Sequence, residues 1–238
     1  MKASLISLLL LGGCGGGQAA GPSPRAETGP SEAVCRLGSD PAAHVGLLQP
    51  RASAAATVEP GTSPLGLDVS GDGQPEMIFL ARTASDRWLA VVGCQDFAVM
   101  LLGAFKMPGL AGTVRIEPFA ATRAPAHEIK AVLEVAEASS SQEFWAFFGF
   151  DGADLAQVFG WFVSHVPPQG DASRAAVTFR DENGDALNEI FVAEETLDGD
   201  GARARLANAA APLPRITATR MMTFRYDSTR RMFSPAAP

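Results

Sequence analysis

A nine-residue pattern that occurs twice constrains the fold of this chain more than any other feature. The copies begin at positions 68 and 181, and each leads directly into an apolar segment. Each copy places a side-chain oxygen at its positions 1, 3, 5 and 9. The residues that carry these oxygens are Asp68, Ser70, Asp72 and Glu76 in the first copy, and Asp181, Asn183, Asp185 and Glu189 in the second. A polar turn followed by an apolar run rich in isoleucine, valine and phenylalanine is typical of a loop that enters a β-strand.

A degraded third copy fills the space between these two. Glu128 occupies the ninth position and precedes the apolar segment 129–135, while Thr122 occupies the third position. Ala120 and Ala124 stand where the other copies have aspartates at positions 1 and 5. The chain therefore contains three repeats in sequence, and the middle one is expected to have lost any cation site. We refer to residues 68–76, 120–128 and 181–189 as loops 1, 2 and 3.

Each loop is followed by two apolar runs that a turn separates, and each is preceded by a short strand-like segment. Such a run–turn–run pattern predicts a β-hairpin, so every repeat offers four antiparallel strands. Four strands per repeat of this length is typical of a propeller blade. The sequence thus predicts an all-β domain of three four-stranded, blade-like units at about 63–110, 111–170 and 171–236. Three units allow a small closed propeller, an incomplete propeller or a β-sandwich. The insert at 198–214 is expected to lengthen one hairpin and protrude.

The loops resemble the calcium loop of FG-GAP or VCBS-type repeats, which occur in integrin-like propellers and many bacterial surface proteins. The family pattern is Asp-x-Asp/Asn/Ser-Gly-Asp-Gly-x-x-Asp/Glu followed by a strand. Loop 1 matches it fully, whereas loop 3 has Ala186 in place of the glycine at position 6. The resemblance implies bound Ca²⁺, which prefers six to eight hard oxygen ligands. Loop 3 is expected to bind less well because this position often needs a positive φ. A metal-free Asx-turn linking two strands is the alternative for both loops.

The N-terminus predicts an exported protein. Lys2 precedes the apolar run 5–11, which is too short to span a bilayer but fits the core of a signal peptide. The following Leu11-Gly12-Gly13-Cys14 resembles the lipobox of bacterial lipoproteins. This implies a signal peptide at 1–13, acyl chains such as palmitate on Cys14, and a membrane anchor in the cell envelope. By resemblance to the sorting of such lipoproteins, Gly15 after the cysteine implies the outer membrane. The alternative is an ordinary secretory signal in which Cys14 is incidental.

Two further segments precede the repeats. Residues 14–32 are rich in glycine, proline and serine, which predicts a flexible tether, and residues 33–62 are expected to form an irregular N-terminal cap. If Cys14 is acylated, Cys35 and Cys94 remain as an even pair of thiols. They either form a disulfide in an oxidising compartment or stay as two unpaired thiols.

Charge and motifs narrow the class of function. The formal net charge is −7 and no basic stripe is present, which argues against nucleic-acid binding. The three histidines, His44, His127 and His165, lack the spacing of zinc ligands, and no nucleophile or phosphate-binding motif occurs. The sequence therefore predicts a non-catalytic, membrane-anchored protein that presents a calcium-stabilised domain to an unknown protein or glycan. The alternative is a hydrolase of envelope polymers whose active site is not contiguous in sequence.

Overall fold

The computed structural model describes residues 35–107, 109, 111–122 and 127–236. Cys14, the predicted signal peptide and the predicted tether lie outside these residues. No helix in this part of the chain is long and apolar enough to cross a membrane.

The described residues form two antiparallel β-sheets, which confirms the predicted all-β class. The first sheet contains β1 (Thr57–Val58), β2 (Leu65–Leu67), β3 (Glu76–Arg82), β4 (Arg87–Gln95) and β5 (Ala98–Met107). Both β1 and β2 pair with β3. The second sheet contains β6 (Thr113–Phe119), β7 (Glu128–Ala136), β8 (Ser141–Phe150), β9 (Leu155–Val166), β10 (Ala172–Arg180), β11 (Glu189–Leu197), β12 (Ile216–Asp227) and β13 (Met232–Pro235).

Each of the three predicted repeat ranges contains four of these strands, and we call β2–β5, β6–β9 and β10–β13 units 1, 2 and 3. Units 2 and 3 are not separate sheets, since β9 pairs with β10 in one eight-stranded meander. This pairing covers only His165 with Ser173 and Ser164 with Arg174. The strands of the described ranges do not close into a ring. A short connection between two long strands, β9 and β10, lets them pair across the predicted unit boundary.

Unit 2 is covered on both of its faces. Side chains of a β-strand alternate between the two faces of its sheet, and β8 carries bulky aromatic residues on both. Phe148 packs on Phe105 of unit 1, with ring centroids 4.8 Å apart. Its neighbour Phe147 packs on Phe179 of unit 3 at 5.0 Å. The units therefore stack face to face, and the dense aromatic sequence of β8 fills the two cores on either side of it.

The N-terminal segment covers the outer face of the first sheet. Two 3₁₀ turns (Pro41–Ala43 and Val45–Leu48) lead into the short helix α1 (Gln49–Ala52). Leu48 is completely buried in a cluster that includes Phe79 and Trp88 from the sheet. This apolar packing gives an irregular segment a fixed position.

The insert in unit 3 folds into a helix, α2 (Gly199–Ala207), which the sequence did not predict. The Asp198 carboxylate caps it by accepting a hydrogen bond from the Gly201 N–H. Ala202 is buried against Ala172 and Leu197. The first half of the insert thus packs on the end of the sheet, where a protruding hairpin extension was expected.

Candidate metal centre

A buried glutamate begins the second strand of every unit. Glu76, Glu128 and Glu189 are the first residues of β3, β7 and β11 and are only 3%, 6% and 3% exposed. Each accepts a hydrogen bond through Oε2 from the backbone N–H seven residues earlier. The donors are Val69 at 2.8 Å, Ala121 at 3.1 Å and Glu182 at 2.8 Å. The three loops therefore share one geometry at position 9, including the copy that has lost its aspartates.

Loop 1 is held in shape by hydrogen bonds within itself. The Asp68 carboxylate accepts from the N–H groups of Gly71 (2.7 Å) and Gly73 (2.9 Å), and Asp72 accepts from the N–H of Gln74 (2.8 Å). Such side-chain-to-backbone bonds are the Asx-turn interactions that favour aspartate and glycine in turns. They fix the direction of both carboxylates, because each has an oxygen bound to the rigid backbone of the turn.

Three carboxylates of loop 1 converge. The side chains of Asp68, Asp72 and Glu76 each offer one oxygen, and all three oxygens lie within 4.8 Å of one another. Oxygens on opposite sides of a calcium ion, each about 2.4 Å from it, are separated by about 4.8 Å, so the cluster has the size of a calcium coordination sphere. In the described part of the chain, no lysine or arginine forms an ion pair with these carboxylates. Their charge and oxygen chemistry fit a hard divalent cation.

Loop 3 has the same backbone hydrogen bonds as loop 1, but its side chains make different contacts. The side-chain nitrogen of Asn183 donates hydrogen bonds to Asp185 Oδ2 (3.1 Å) and to Glu189 Oε1. The Arg225 Nε lies 3.9 Å from the same glutamate oxygen. Donors of the protein therefore contact the carboxylates between which a cation would bind. Ala186, at position 6, has a φ of +67°, which a side-chain-bearing residue adopts at a cost. Both features favour loop 1 over loop 3 as a metal site.

In loop 2 a hydroxyl group donates a hydrogen bond to the glutamate at position 9. The Thr122 Oγ1 donates a hydrogen bond to Glu128 Oε1, the oxygen that does not accept from the Ala121 N–H. Ala120 supplies no ligand at position 1, and Ala124 lies outside the described residues. Among the residues that are described here, loop 2 offers a single carboxylate to a cation, which is too few for calcium.

Successive loops are connected through the residue at position 8. The His127 Nδ1 of loop 2 lies 2.8 Å from the backbone carbonyl oxygen of Asp68, the first residue of loop 1. In the same way, the Asn188 side-chain amide of loop 3 donates to the carbonyl oxygen of Ala120, the first residue of loop 2, at 3.1 Å. Sequence reasoning missed this contact. The signal was available, since both residues are polar and occupy the same position of aligned loops.

The structure joins Cys35 to Cys94 by a disulfide next to loop 1, with the Cα atoms 5.9 Å apart. A cavity of about 160 Å³ is lined on one side by both cysteines and on the other by residues of loop 1, including Asp72 and Glu76. The bond closes a loop of 59 residues, which constrains the unfolded chain by about 4 kcal/mol in the chain-entropy account. The cap, β4 and loop 1 are therefore tied together at one place.

Comparison with known proteins assigns no family to the chain: no family model, no curated protein and no solved structure matches it. The resemblance to FG-GAP or VCBS-type loops therefore rests on the nine-residue pattern alone. The convergence of three carboxylates in loop 1 is an independent physical reason to consider a cation site there.

Proposed function

We propose that this protein is a non-catalytic lipoprotein of the bacterial cell envelope whose β domain is stabilised by Ca²⁺. In this proposal Cys14 carries the acyl chains, and the domain presents a binding or scaffolding surface to a protein or glycan. The observation that carries the calcium assignment is the convergence of Asp68, Asp72 and Glu76, with oxygens within 4.8 Å of one another. Loop 3 is the weaker of two sites, with Asp181, Asp185 and Glu189 as its carboxylates.

The hydrogen bonding of loop 1 favours a structural ion over a catalytic pair of acids. Asp68 and Glu76 accept hydrogen bonds from the backbone of their own loop, from Gly71, Gly73 and Val69. A general acid or base must exchange a proton with a substrate within hydrogen-bond reach. Carboxylates whose directions are fixed by several backbone donors suit an ion that remains bound, because the coordination geometry is set in advance.

The arrangement of the units supports a propeller-like repeat that is incomplete. In this proposal each unit is a blade, and the cores between units 1 and 2 and between units 2 and 3 are blade interfaces. The position-8 contacts of His127 and Asn188 repeat from one interface to the next. A cation in loop 1 would therefore brace the turn on which unit 2 rests, since His127 contacts the carbonyl oxygen of Asp68.

Calcium titration tests the site directly. We expect calorimetry of the chelator-treated protein to give a dissociation constant of about 10⁻⁴ to 10⁻³ M, as in extracellular calcium modules. Asp72→Asn should remove the tighter binding, because it takes one charge from the cluster while keeping the size of the side chain. The matched variant Asp185→Asn changes the same position of loop 3 and should leave that binding in place. Absence of calcium-dependent heat would contradict the proposal, as would equal losses in the two variants.

Mass spectrometry of the mature N-terminus tests the anchor. We expect cleavage after Gly13 and a mass increase on Cys14 that matches a diacylglyceryl group with or without an amide-linked acyl chain. More than one acyl chain is needed for durable membrane attachment, because each buried CH₂ contributes only about 0.8 kcal/mol. An unmodified Cys14, or cleavage at another position, would rule out the lipoprotein assignment while leaving the calcium proposal standing.

A further inference from the structure

A cavity of about 440 Å³ lies between the last hairpins of units 2 and 3. Unit 2 contributes the end of β8 and the start of β9, and unit 3 contributes Tyr226 and residues 229–232. Among the described residues that line the cavity, none belongs to loops 1, 2 or 3. The volume is within the range of about 300–1,000 Å³ that is typical of small-molecule sites.

Small residues of unit 2 form one wall of this cavity. Gly149 on β8 pairs with Ala156 on β9, and both line the cavity. In unit 1 the pair beside the corresponding register shift is Gly93 with Met100, and Met100 is 43% exposed. The hairpin of unit 1 therefore accommodates a large side chain at this position. Alanine at the same position of unit 2 leaves space that a methionine would occupy.

The lining is positively charged, although the net charge of the chain is −7. Arg230 and Arg231 both line the cavity, and Asp151 is the one acidic residue among the described lining residues. The Asp151 carboxylate accepts hydrogen bonds from the backbone N–H groups of Ala153 and Asp154, each at 2.8 Å. Its charge is therefore directed into its own turn, and the two guanidinium groups favour an anionic ligand.

Neither arginine is neutralised by a close carboxylate. The Arg230 Nε lies 3.7 Å from Asp227 Oδ2, and the Arg230 side chain is 71% exposed. In the described part of the chain, no carboxylate lies within ion-pair distance of Arg231. The Arg231 Nη1 instead donates a hydrogen bond to the backbone carbonyl oxygen of Asp151 in unit 2. Arg231 also has a φ of +52°, and strain of this kind is concentrated at functional sites.

We propose that this cavity binds a sugar that carries a carboxylate, such as a uronic acid. A guanidinium group recognises a carboxylate through two parallel N–H donors, and Arg230 is exposed enough to make this contact. Gln157 and Thr229 also line the cavity, and their amide and hydroxyl groups can both donate to and accept from sugar hydroxyls. The Tyr226 ring, which packs edge-on against Phe233 at 5.4 Å, adds a further hydroxyl.

An acidic sugar is one form of the glycan partner in the proposed function, and its assignment to this cavity rests on that part of the proposed function. It depends neither on the acyl anchor nor on the calcium ion, because the lining contains no residue of the three loops. Failure to bind an acidic sugar would therefore leave the calcium and lipidation experiments unaffected, and failure of those experiments would leave this site standing.

Titration of the full-length chain with glucuronate, followed by amide chemical shifts, tests the ligand class. We expect saturable shifts at Gln157 and at residues 229–231, with a dissociation constant of about 1 mM, which modest ligand efficiency gives for about 13 non-hydrogen atoms. Glucose lacks the carboxylate and acetate lacks the sugar hydroxyls, so each should bind at least about tenfold more weakly. Acetate or inorganic phosphate binding as tightly as glucuronate would overturn the proposal, as would the absence of saturable shifts with glucuronate.

Three variants locate the binding within the cavity. Arg230→Gln should raise the dissociation constant for glucuronate about tenfold. The matched variant Arg180→Gln should leave it unchanged, because Arg180 is also exposed and paired with a nearby acid, Glu182, but lies outside the cavity. Ala156→Met keeps every charged group and fills the space that Met100 fills in unit 1, so it should abolish binding with a nearly unchanged melting temperature. Equal effects of the two arginine variants, or full binding by folded Ala156→Met, would overturn the proposal.

Discussion

The calcium proposal predicts how the melting temperature depends on each of the two intact loops. The perturbation is Asp72→Ala in loop 1, compared with Asp185→Ala at the same position of loop 3. Asp72 shares the cluster in which three carboxylate oxygens lie within 4.8 Å. Asp185 instead accepts a hydrogen bond from the Asn183 side chain at 3.1 Å. Loop 1 should therefore account for most of the stabilisation by calcium.

The magnitude follows from binding to the folded state alone. At a calcium concentration ten times the dissociation constant, one site adds about 1.4 kcal/mol to the free energy of unfolding. For a domain of this size, about 1 kcal/mol corresponds to a shift of roughly 2–4 °C. We therefore expect calcium to raise the melting temperature by about 3–5 °C per occupied site. Asp72→Ala should lose most of this rise, whereas Asp185→Ala should keep most of it.

The assay compares the thermal melt of each protein in about 10 mM calcium with its melt in EGTA. This calcium concentration is about ten times the largest dissociation constant expected for such modules. The quantity compared is the calcium-induced shift within each variant. Each substitution also removes the acceptor of one backbone hydrogen bond. Asp72 accepts from the Gln74 N–H and Asp185 accepts from the Leu187 N–H, each at 2.8 Å. That loss lowers the melting temperature with and without calcium and cancels in the shift. If the unsubstituted protein melts at the same temperature in both buffers, the loops are Asx-turns without a metal and the reasoning is wrong.

Three further predictions concern stability. Ala186→Gly should raise the free energy of unfolding in EGTA by about 0.5–1 kcal/mol, because Ala186 has a φ of +67°; a lower value in urea unfolding would contradict this. Glu59→Gln should lower it by about 3 kcal/mol in the same assay, because the Arg87 guanidinium is buried and bound to the Glu59 carboxylate at 2.6 Å; a loss under about 1 kcal/mol would show that the charge of Glu59 is not needed. Burial tends to raise the pKa of Asp154, but hydrogen bonds, first from Arg51, outweigh it and hold the pKa below its usual value. Its contribution is therefore present above the unfolded-state pKa and is lost as pH falls through the lower folded-state pKa, so Asp154→Asn should flatten that part of the acid unfolding curve.

The sequence by itself determined the local structure of the repeats. The nine-residue pattern predicts the loops because their hydrogen bonds are formed within nine residues, as between Asp68 and Gly71. It also locates the glutamate at which β3, β7 and β11 begin. Even the degraded loop 2 could be aligned, because Glu128 and Thr122 keep positions 9 and 3 of the pattern. In the structure Glu128 keeps its contact with the backbone of its own loop.

The candidate site was predictable in its ligands but not in its environment. Spacing identified Asp68, Asp72 and Glu76, since alternate residues of a tight turn point inward. The difference between the loops depends partly on Arg225, which β12 brings to Glu189 from 36 residues further along the chain. The contact between His127 and the Asp68 carbonyl joins residues 59 apart. Contacts at such separations follow from how the strands pack, which no local pattern encodes.

Tertiary structure also decided how the units are joined. β9 and β10 share one sheet because a short connection brings the end of β9 beside the start of β10, where they pair antiparallel, and that pairing removed the predicted boundary between units 2 and 3. The helix α2 contains two glycines, which disfavour helix in isolation, and it forms where Ala202 can be buried against Ala172 and Leu197. Local propensity was too weak to determine the helix, which depends on burial of apolar surface, and the pairing of β9 with β10 depends on the short connection between them.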